Sequence, residues 1–285
     1  MKRAIKTMMA ALAAALSGAA AAAGGLTPGN FVEVGDTIVD MLDTSALAYS
    51  TMQLGVAEIV RPSRVSAGVP TESFSTPCPG GGSISGSIAD RDASGDVSVQ
   101  DRFVTVFKSC RIDDELVTGS SEFTITSYRV ENEREITELA FRFHHLGSDA
   151  MRWTGPATAV LSVNRKTGSE RYAVSYQNLL VTRGSVSTHW NLTLETRRPP
   201  LGDQTTQISG SMTLDHAVLH LLQGEVFVVA PGGRPRSGRL TATDADGDRL
   251  EVEADGRRYR YRFFDHGNRG DTPDARSQSK AQPGS

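Results

Sequence analysis

Three groups of residues in this sequence have the types and spacing to do chemistry. Asp244, Asp246 and Asp248 stand in Thr-Asp-Ala-Asp-Gly-Asp-Arg-Leu, with the alternate aspartates and the glycine of the first half of a calcium loop. The twelfth position counted from Asp244 is Asp255, where such a loop wants the longer glutamate. Residues 239–242 and 250–253 on either side read as strands, so a plain aspartate-glycine hairpin without metal is expected. His216 and His220 are four apart, which on a helix would aim both imidazoles at one ion. On a strand they would share a face but lie about 13 Å apart, too far for a single ion. Their surroundings are β-like and no H-E-x-x-H pattern is present, so no metal site is expected. His144 and His145 are adjacent, and on a strand one would be packed and the other solvated.

Asp90, Asp92 and Asp96 could include a carboxylate pair, but spacing alone does not place it, and turn chemistry accounts for them. The nucleophile motif G-x-S-x-G and a Walker-type loop are both absent, and Gly80-Gly81-Gly82 precedes a strand rather than a helix. Ser277 and Lys280 match S-x-x-K inside a polar tail that offers nothing to hold them in catalytic geometry. No catalytic residue and no cofactor is expected.

The two cysteines, Cys78 and Cys110, lack a C-x-x-C arrangement and lie 32 residues apart. In an oxidising compartment such a pair reads as a disulfide, worth about 3 kcal/mol through the loop it closes. The N-terminus points to that compartment. Lys2, Arg3 and Lys6 precede Met8, Met9, Leu12 and Leu16 in an alanine background, and small residues follow from Gly18 to Gly25. This is the build of a signal peptide over residues 1–23, cleaved near Ala23 or Gly24. Its apolar run falls short of the roughly 20 residues of a spanning helix, and no later segment qualifies as a transmembrane segment. No cysteine near the cleavage site could carry a lipid anchor. The expected location is the periplasm or the exterior.

The leader carries three basic residues and no acidic one, so the mature chain has a net charge near −6 with its basic residues scattered. That balance gives no footprint for nucleic acid. Between Asp36 and Val60, Ile38, Leu42, Tyr49, Met52, Val56 and Ile59 fall on one helical stripe, and Pro62 ends it. A linker rich in Pro, Ser and Gly follows over residues 62–82. Period-two alternation then persists over residues 83–264, as in Phe123-Ile125, Leu139-Phe141-Phe143, Tyr172-Val174-Tyr176, Trp190-Leu192-Leu194 and Tyr259-Tyr261-Phe263. Turn signals at Lys166-Thr167-Gly168, Arg183-Gly184-Ser185, Asp246-Gly247 and Asp255-Gly256 separate the runs. Residues 24–264 are thus expected to form a single, mainly β domain. It would be an antiparallel meander of ten to thirteen strands, curled into a barrel, half-barrel or sandwich, with one N-terminal helix over about residues 36–60. Residues 265–285 read as a disordered tail.

Cys78-Pro-Gly-Gly-Gly-Ser, Ser94-Gly95-Asp96, Phe107-Lys-Ser-Cys110, Gly119 and Ser237-Gly238-Arg-Leu together resemble uncharacterised exported proteins and lipoproteins of Gram-negative bacteria. In these a glycine-flanked cysteine precedes a phenylalanine-x-x-cysteine, and a β meander ends in an aspartate-glycine turn. The chain departs from them in lacking a lipid-attachment cysteine. The resemblance implies the disulfide and the β fold and brings no activity.

The expected function is that of a non-enzymatic envelope or secreted protein whose curved sheet binds an apolar or amphipathic small molecule, or an envelope protein partner. Phe141, Tyr176 and Trp190 share the apolar parity of their strands and are the candidate lining. His189 should point the other way. A periplasmic hydrolase built on carboxylates or histidine, and a purely structural or adhesive domain, are the alternatives. A His–carboxylate cleft would identify the first and a filled core the second.

Overall fold

A computed structural model describes residues 25–40, 42, 71–78, 80–94, 98–112, 115–148, 151–183, 186–230, 235–256, 258–266 and 275–276. The predicted alternation becomes fourteen strands in one antiparallel sheet, paired in sequence order. They are β1 (Glu72–Pro77), β2 (Ser83–Ala89), β3 (Arg102–Ile112), β4 (Glu115–Glu131), β5 (Arg134–Gly147), β6 (Arg152–Asn164) and β7 (Glu170–Arg183). The second half is β8 (Val186–Arg198), β9 (Gln204–Leu214), β10 (Ala217–Val229), β11 (Pro235–Thr243), β12 (Arg249–Ala254), β13 (Tyr259–Phe264) and β14 (Ala275–Arg276). β1 occupies part of the stretch that reads as a linker, and β14 lies in the stretch that reads as a tail. All strands belong to one sheet, so the fold is not a sandwich. Among the described residues β1 and β14 are not paired with each other, and the sheet is an open curl.

The cross-strand register lines up one apolar row over twelve strands. Ile88 faces Phe103, Phe103 faces Phe123, and Phe123 faces Phe141. The row runs on through Ala157, Tyr176, Leu192 and Gly210, then through Leu221, Ala242, Leu250 and Phe263. Every member with a side chain is buried, while the opposite parity is exposed or half-buried. Cross-strand ion pairs populate that outer face, among them Arg102–Glu122, Arg171–Glu195 and Arg262–Glu251.

Helix α1 covers residues 31–40 and continues at residue 42. It starts earlier than the apolar stripe predicts because Thr27 and Asn30 cap its first turn. The Thr27 amide donates to Asn30 Oδ1, and the Asn30 amide donates to Thr27 Oγ1. Phe31, Val34, Ile38 and Leu42 form its buried stripe. The remaining stripe positions, Tyr49 to Ile59, lie outside the described residues.

The packing of α1 measures the curl. Tyr261 on β13 donates a 2.8 Å hydrogen bond to Asp36 Oδ1, and Arg183 at the end of β7 lies 3.7 Å from Asp36 Oδ2. Arg183 also pairs with Asp40 at 3.0 Å. β7 and β13 are six strands apart, about 29 Å in a flat sheet, more than a tyrosine and an arginine can span together. One carboxylate reaches both only because the apolar face has wrapped around the helix.

A line of irregularities bends the sheet. Register shifts fall between Phe107 and Cys110, Thr118 and Ser120, Phe143 and Leu146, Thr154 and Ala157, and Tyr176 and Leu179. Ser109, Gly119, His145, Gly155 and Asn178 adopt positive φ there on five successive strands. Bulges increase local twist and bend the strand that carries them, so a row of them creases the sheet. At Gly119, with φ of 97°, an added Cβ would lie 2.2 Å from the carbonyl oxygen of His145, so only glycine fits. The crease also explains His144 and His145. They do not split between core and solvent as strict alternation predicts; both are exposed, because the bulge breaks the parity between them.

The Cys78–Cys110 disulfide is formed, with a Cα–Cα distance of 5.5 Å. It ties the segment between β1 and β2 to the end of β3. Reduction, or Cys110→Ser with Cys78→Ser, is expected to lower unfolding free energy by about 3 kcal/mol, read as a shift of the urea midpoint at unchanged slope. Two thiols that alkylate freely without reductant in the exported protein would contradict the bond.

At the helix, a Cβ on Gly35 would sit 2.9 Å from the Tyr261 ring. Gly35→Ala is expected to cost about 1–3 kcal/mol by overpacking that contact, measured by denaturant titration.

Candidate functional site

All three residues predicted to line a binding surface lie on the buried side of the sheet. Trp190 has no exposed surface, Tyr176 is 3% exposed and Phe141 is 9% exposed. Phe141 and Tyr176 both face Ala157 across β6, and Tyr176 meets Trp190 edge-on at 5.9 Å. Phe141 extends toward the sheet edge as part of an aromatic ladder, 5.6 Å from Phe123, which stacks on Phe103 at 4.5 Å. His189, beside Trp190 in sequence, is exposed on the outer face. The three rings therefore belong to the continuous apolar interior.

Among the described residues, two polar groups in that interior lack a hydrogen-bond partner. The Trp190 indole N–H donates to Thr188 Oγ1 at 2.9 Å, as a buried indole should. The Tyr176 hydroxyl and the Trp153 indole N–H are equally buried and have no partner. Trp153 opposes Val181 on β7, the strand that carries Tyr176. Leaving each such group dry costs about 1–3 kcal/mol. Burial also pushes the Tyr176 hydroxyl well above its ordinary pKa. Sequence parity places these side chains inside, but it carries no information about which polar tips find partners there.

The histidines lie apart from the apolar interior. The six histidines, His144, His145, His189, His216, His220 and His266, are all exposed. His216 sits at positive φ in the two-residue turn Asp215-His216, and His220 lies on β10, so the pair occupies neither a helix nor a common face. The ring contact made by His145 is to the Thr154 hydroxyl, at 3.2 Å.

The two aspartate loops also differ from one another. At the β11–β12 connection, Asp244 Oδ2 accepts from the Leu26 amide at 2.9 Å, and its Oδ1 accepts from the amides of Asp246 and Asp248. Asp248 Oδ1 accepts from the His266 amide, and Asp255 pairs with Arg260. These carboxylates secure a turn and anchor the segment before α1. The β2–β3 connection is different: carboxylate oxygens of Asp90, Asp92 and Asp101 lie within 4.8 Å of one another. Asp90 and Asp101 are each only 2% exposed. Of the acids that the sequence singles out here, Asp90 and Asp92 are in the group and Asp96 lies outside the described residues; Asp101, eleven residues after Asp90, is not among them.

No protein-family model matches the chain, and no curated protein and no solved structure matches it either.

Tyr176→Phe removes a buried hydroxyl that has no partner and is expected to raise the unfolding free energy of the ligand-free protein by about 1 kcal/mol. Because the folded state holds the Tyr176 proton more tightly, its contribution is complete below the unfolded value of 10.0 and is lost as pH rises above it. The variant should shed that part of the alkaline loss in pH-dependent denaturant melts.

Proposed function

We propose that this is an exported, non-enzymatic protein of the bacterial envelope whose curled sheet takes up an apolar or amphipathic small molecule. The observation that carries this reading is the pair of buried, unpartnered polar groups, Tyr176 Oη and Trp153 Nε1, within the largely apolar interior. A ligand with an apolar body and a hydrogen-bonding head would bury its body against the row from Phe141 to Leu192 and satisfy those groups. Their standing cost in the empty protein then becomes binding energy.

Location outside the cytoplasm is supported by the leader at residues 1–23 and by the Cys78–Cys110 bond. No helix among the described residues is long and apolar enough to cross a bilayer. The outer face carries arginine–glutamate pairs rather than an apolar belt, which supports a sheet surrounded by water. The exposure of every histidine favours binding over hydrolysis.

The test is native mass spectrometry of protein purified from its own envelope, followed by organic extraction. A co-purifying amphipathic molecule that rebinds stoichiometrically is expected. Tyr176→Phe should bind it about tenfold less tightly, the equivalent of one lost hydrogen bond, although the variant itself is more stable. Protein that purifies without any extractable molecule and fails to take up fatty-acyl probes would leave only the structural role.

A further inference from the structure

Trp153 and Tyr176 stand beside a strip of small residues on the inner face of the sheet. The strip is Gly155, Ala157 and Ala159 on β6, and the residues opposite it are large. Phe143, Phe141 and Leu139 oppose its three members on β5. On β7, Tyr176 opposes Ala157 and Val174 opposes Ala159. Trp153 precedes Gly155 on β6 itself, between Leu146 and Val181 in the register. Gly155 lies in the crease with φ of 133°, and the register shift between Thr154 and Ala157 leaves Trp153 and Ala157 both buried.

Small side chains alone would mean no more than close packing. A separate, chemical observation singles this place out. Trp153 is 6% exposed and Tyr176 is 3% exposed, yet neither the indole nitrogen nor the phenol oxygen has a partner. Elsewhere on the same face such groups are satisfied from within the chain. The Trp190 indole donates to Thr188, and the Thr196 and Thr206 hydroxyls bond one another at 3.1 Å. An indole N–H can only donate, and a phenol can donate as well as accept. What both unpartnered groups can serve is an acceptor.

The rest of the interior sets the charge of that acceptor. Among the described residues the buried polar side chains are threonine, serine and aspartate, and no lysine, arginine or histidine is buried. The aspartates, Asp90, Asp101 and Asp244, accept from backbone amides at the connections between strands. A carboxylate or phosphate head would therefore enter without a cation to pair with it, and an ammonium head would meet two donors. Burying either charge unpaired is far more costly than burying a neutral head. A carbonyl oxygen is neutral and has two lone pairs, so it can accept from either donor.

We propose that the interior selects an apolar molecule with an uncharged carbonyl head, an ester or a ketone. Trp153 Nε1 and Tyr176 Oη are the donors to that head, and the strip from Gly155 to Ala159 is the bed of the apolar chain. This rests on the reading that the sheet takes up an apolar or amphipathic molecule, and adds the chemistry of the head. Ala157 and Ala159 are 3% and 5% exposed, so entry requires the flanking side chains to move.

NMR of disulfide-intact protein carrying nitrogen-labelled tryptophan tests it. The chain has two tryptophans, so the spectrum holds two indole N–H signals, and Trp190, already bonded to Thr188, is the internal control. The probes are methyl laurate, lauric acid, dodecylamine and dodecane, at about pH 8, where the acid is ionised and the amine protonated. Methyl laurate is expected to move the Trp153 indole proton downfield in a saturable way, with Trp190 moving less. It should bind at least about tenfold more tightly than the other three. Tyr176→Phe and Trp153→Phe should each weaken methyl laurate about tenfold and leave dodecane unchanged. Should Trp153→Phe fail to fold, Tyr176→Phe, which loses a single oxygen, carries the comparison. If lauric acid, dodecylamine or dodecane binds as tightly as methyl laurate, the proposal fails and the broader reading stands. If none of the probes binds, both fail. Methyl laurate that binds without moving the Trp153 signal, or with full affinity in folded Tyr176→Phe protein, also overturns the proposal.

Discussion

One apolar face, more than ten strands wide, has to leave water with no second sheet among the described residues to cover it. A flat sheet of fourteen strands would present its buried row over a width that a single helix cannot shield. The chain answers by bending the sheet until distant strands meet the same short helix. Asp36 is where this becomes visible, since its two oxygens face residues from β7 and β13. The burial of Tyr261, the placement of α1 and the enclosure of Trp190 all follow from that wrap.

The wrap has a local mechanism. Bulges on neighbouring strands would cancel if scattered, but here they are in register from β3 to β7, so their bends add. At two of the bulges a backbone amide is taken up by a side chain on the next strand. The Asn178 amide donates to Asn191 Oδ1, and the His145 amide to Thr154 Oγ1. At these two positions the polar outer face has a second role besides contact with water: it satisfies backbone that the crease frees. At the β1 edge a different problem arises, because an open sheet exposes a pairing edge. The disulfide fastens the hairpin beside that edge at one end, and the Asp90–Asp101 loop closes it at the other.

The strands were legible because period-two burial is written directly in residue type: Tyr172, Val174 and Tyr176 cannot share a parity by accident of packing. The disulfide was legible because two cysteines have one pairing. The crease was not. Its residues are glycine at some strands but serine, histidine and asparagine at others, and only the register shows that they are neighbours. The same limit hid two hairpin turns, Asn132-Glu133 and Asp215-His216, which take positive φ without glycine. The start of α1 depended on a Thr27–Asn30 cap rather than on apolar spacing.

The two aspartate loops show how residue type and environment part company. Asp244-Ala-Asp246-Gly-Asp248 has the denser run of acids, and both oxygens of its first residue, Asp244, accept amides of the turn and of the chain before α1. The loop from Asp90 to Asp101 looks sparser and keeps its carboxylates together, because its twelfth residue is the one that enters β3 and is hydrogen-bonded to β4. What separates the two is the distance at which the chain returns. Residue twelve of the first loop comes only after a complete strand, β12, has carried the chain away, whereas residue twelve of the second stands at the base of the same hairpin. Asp101 therefore comes back to Asp90 without a longer glutamate to bridge the gap. In a meander the hairpin is the element that brings residues of distant sequence number together, so both the buried polar groups of the interior and this acidic cluster sit where a turn or a bulge interrupts the ladder.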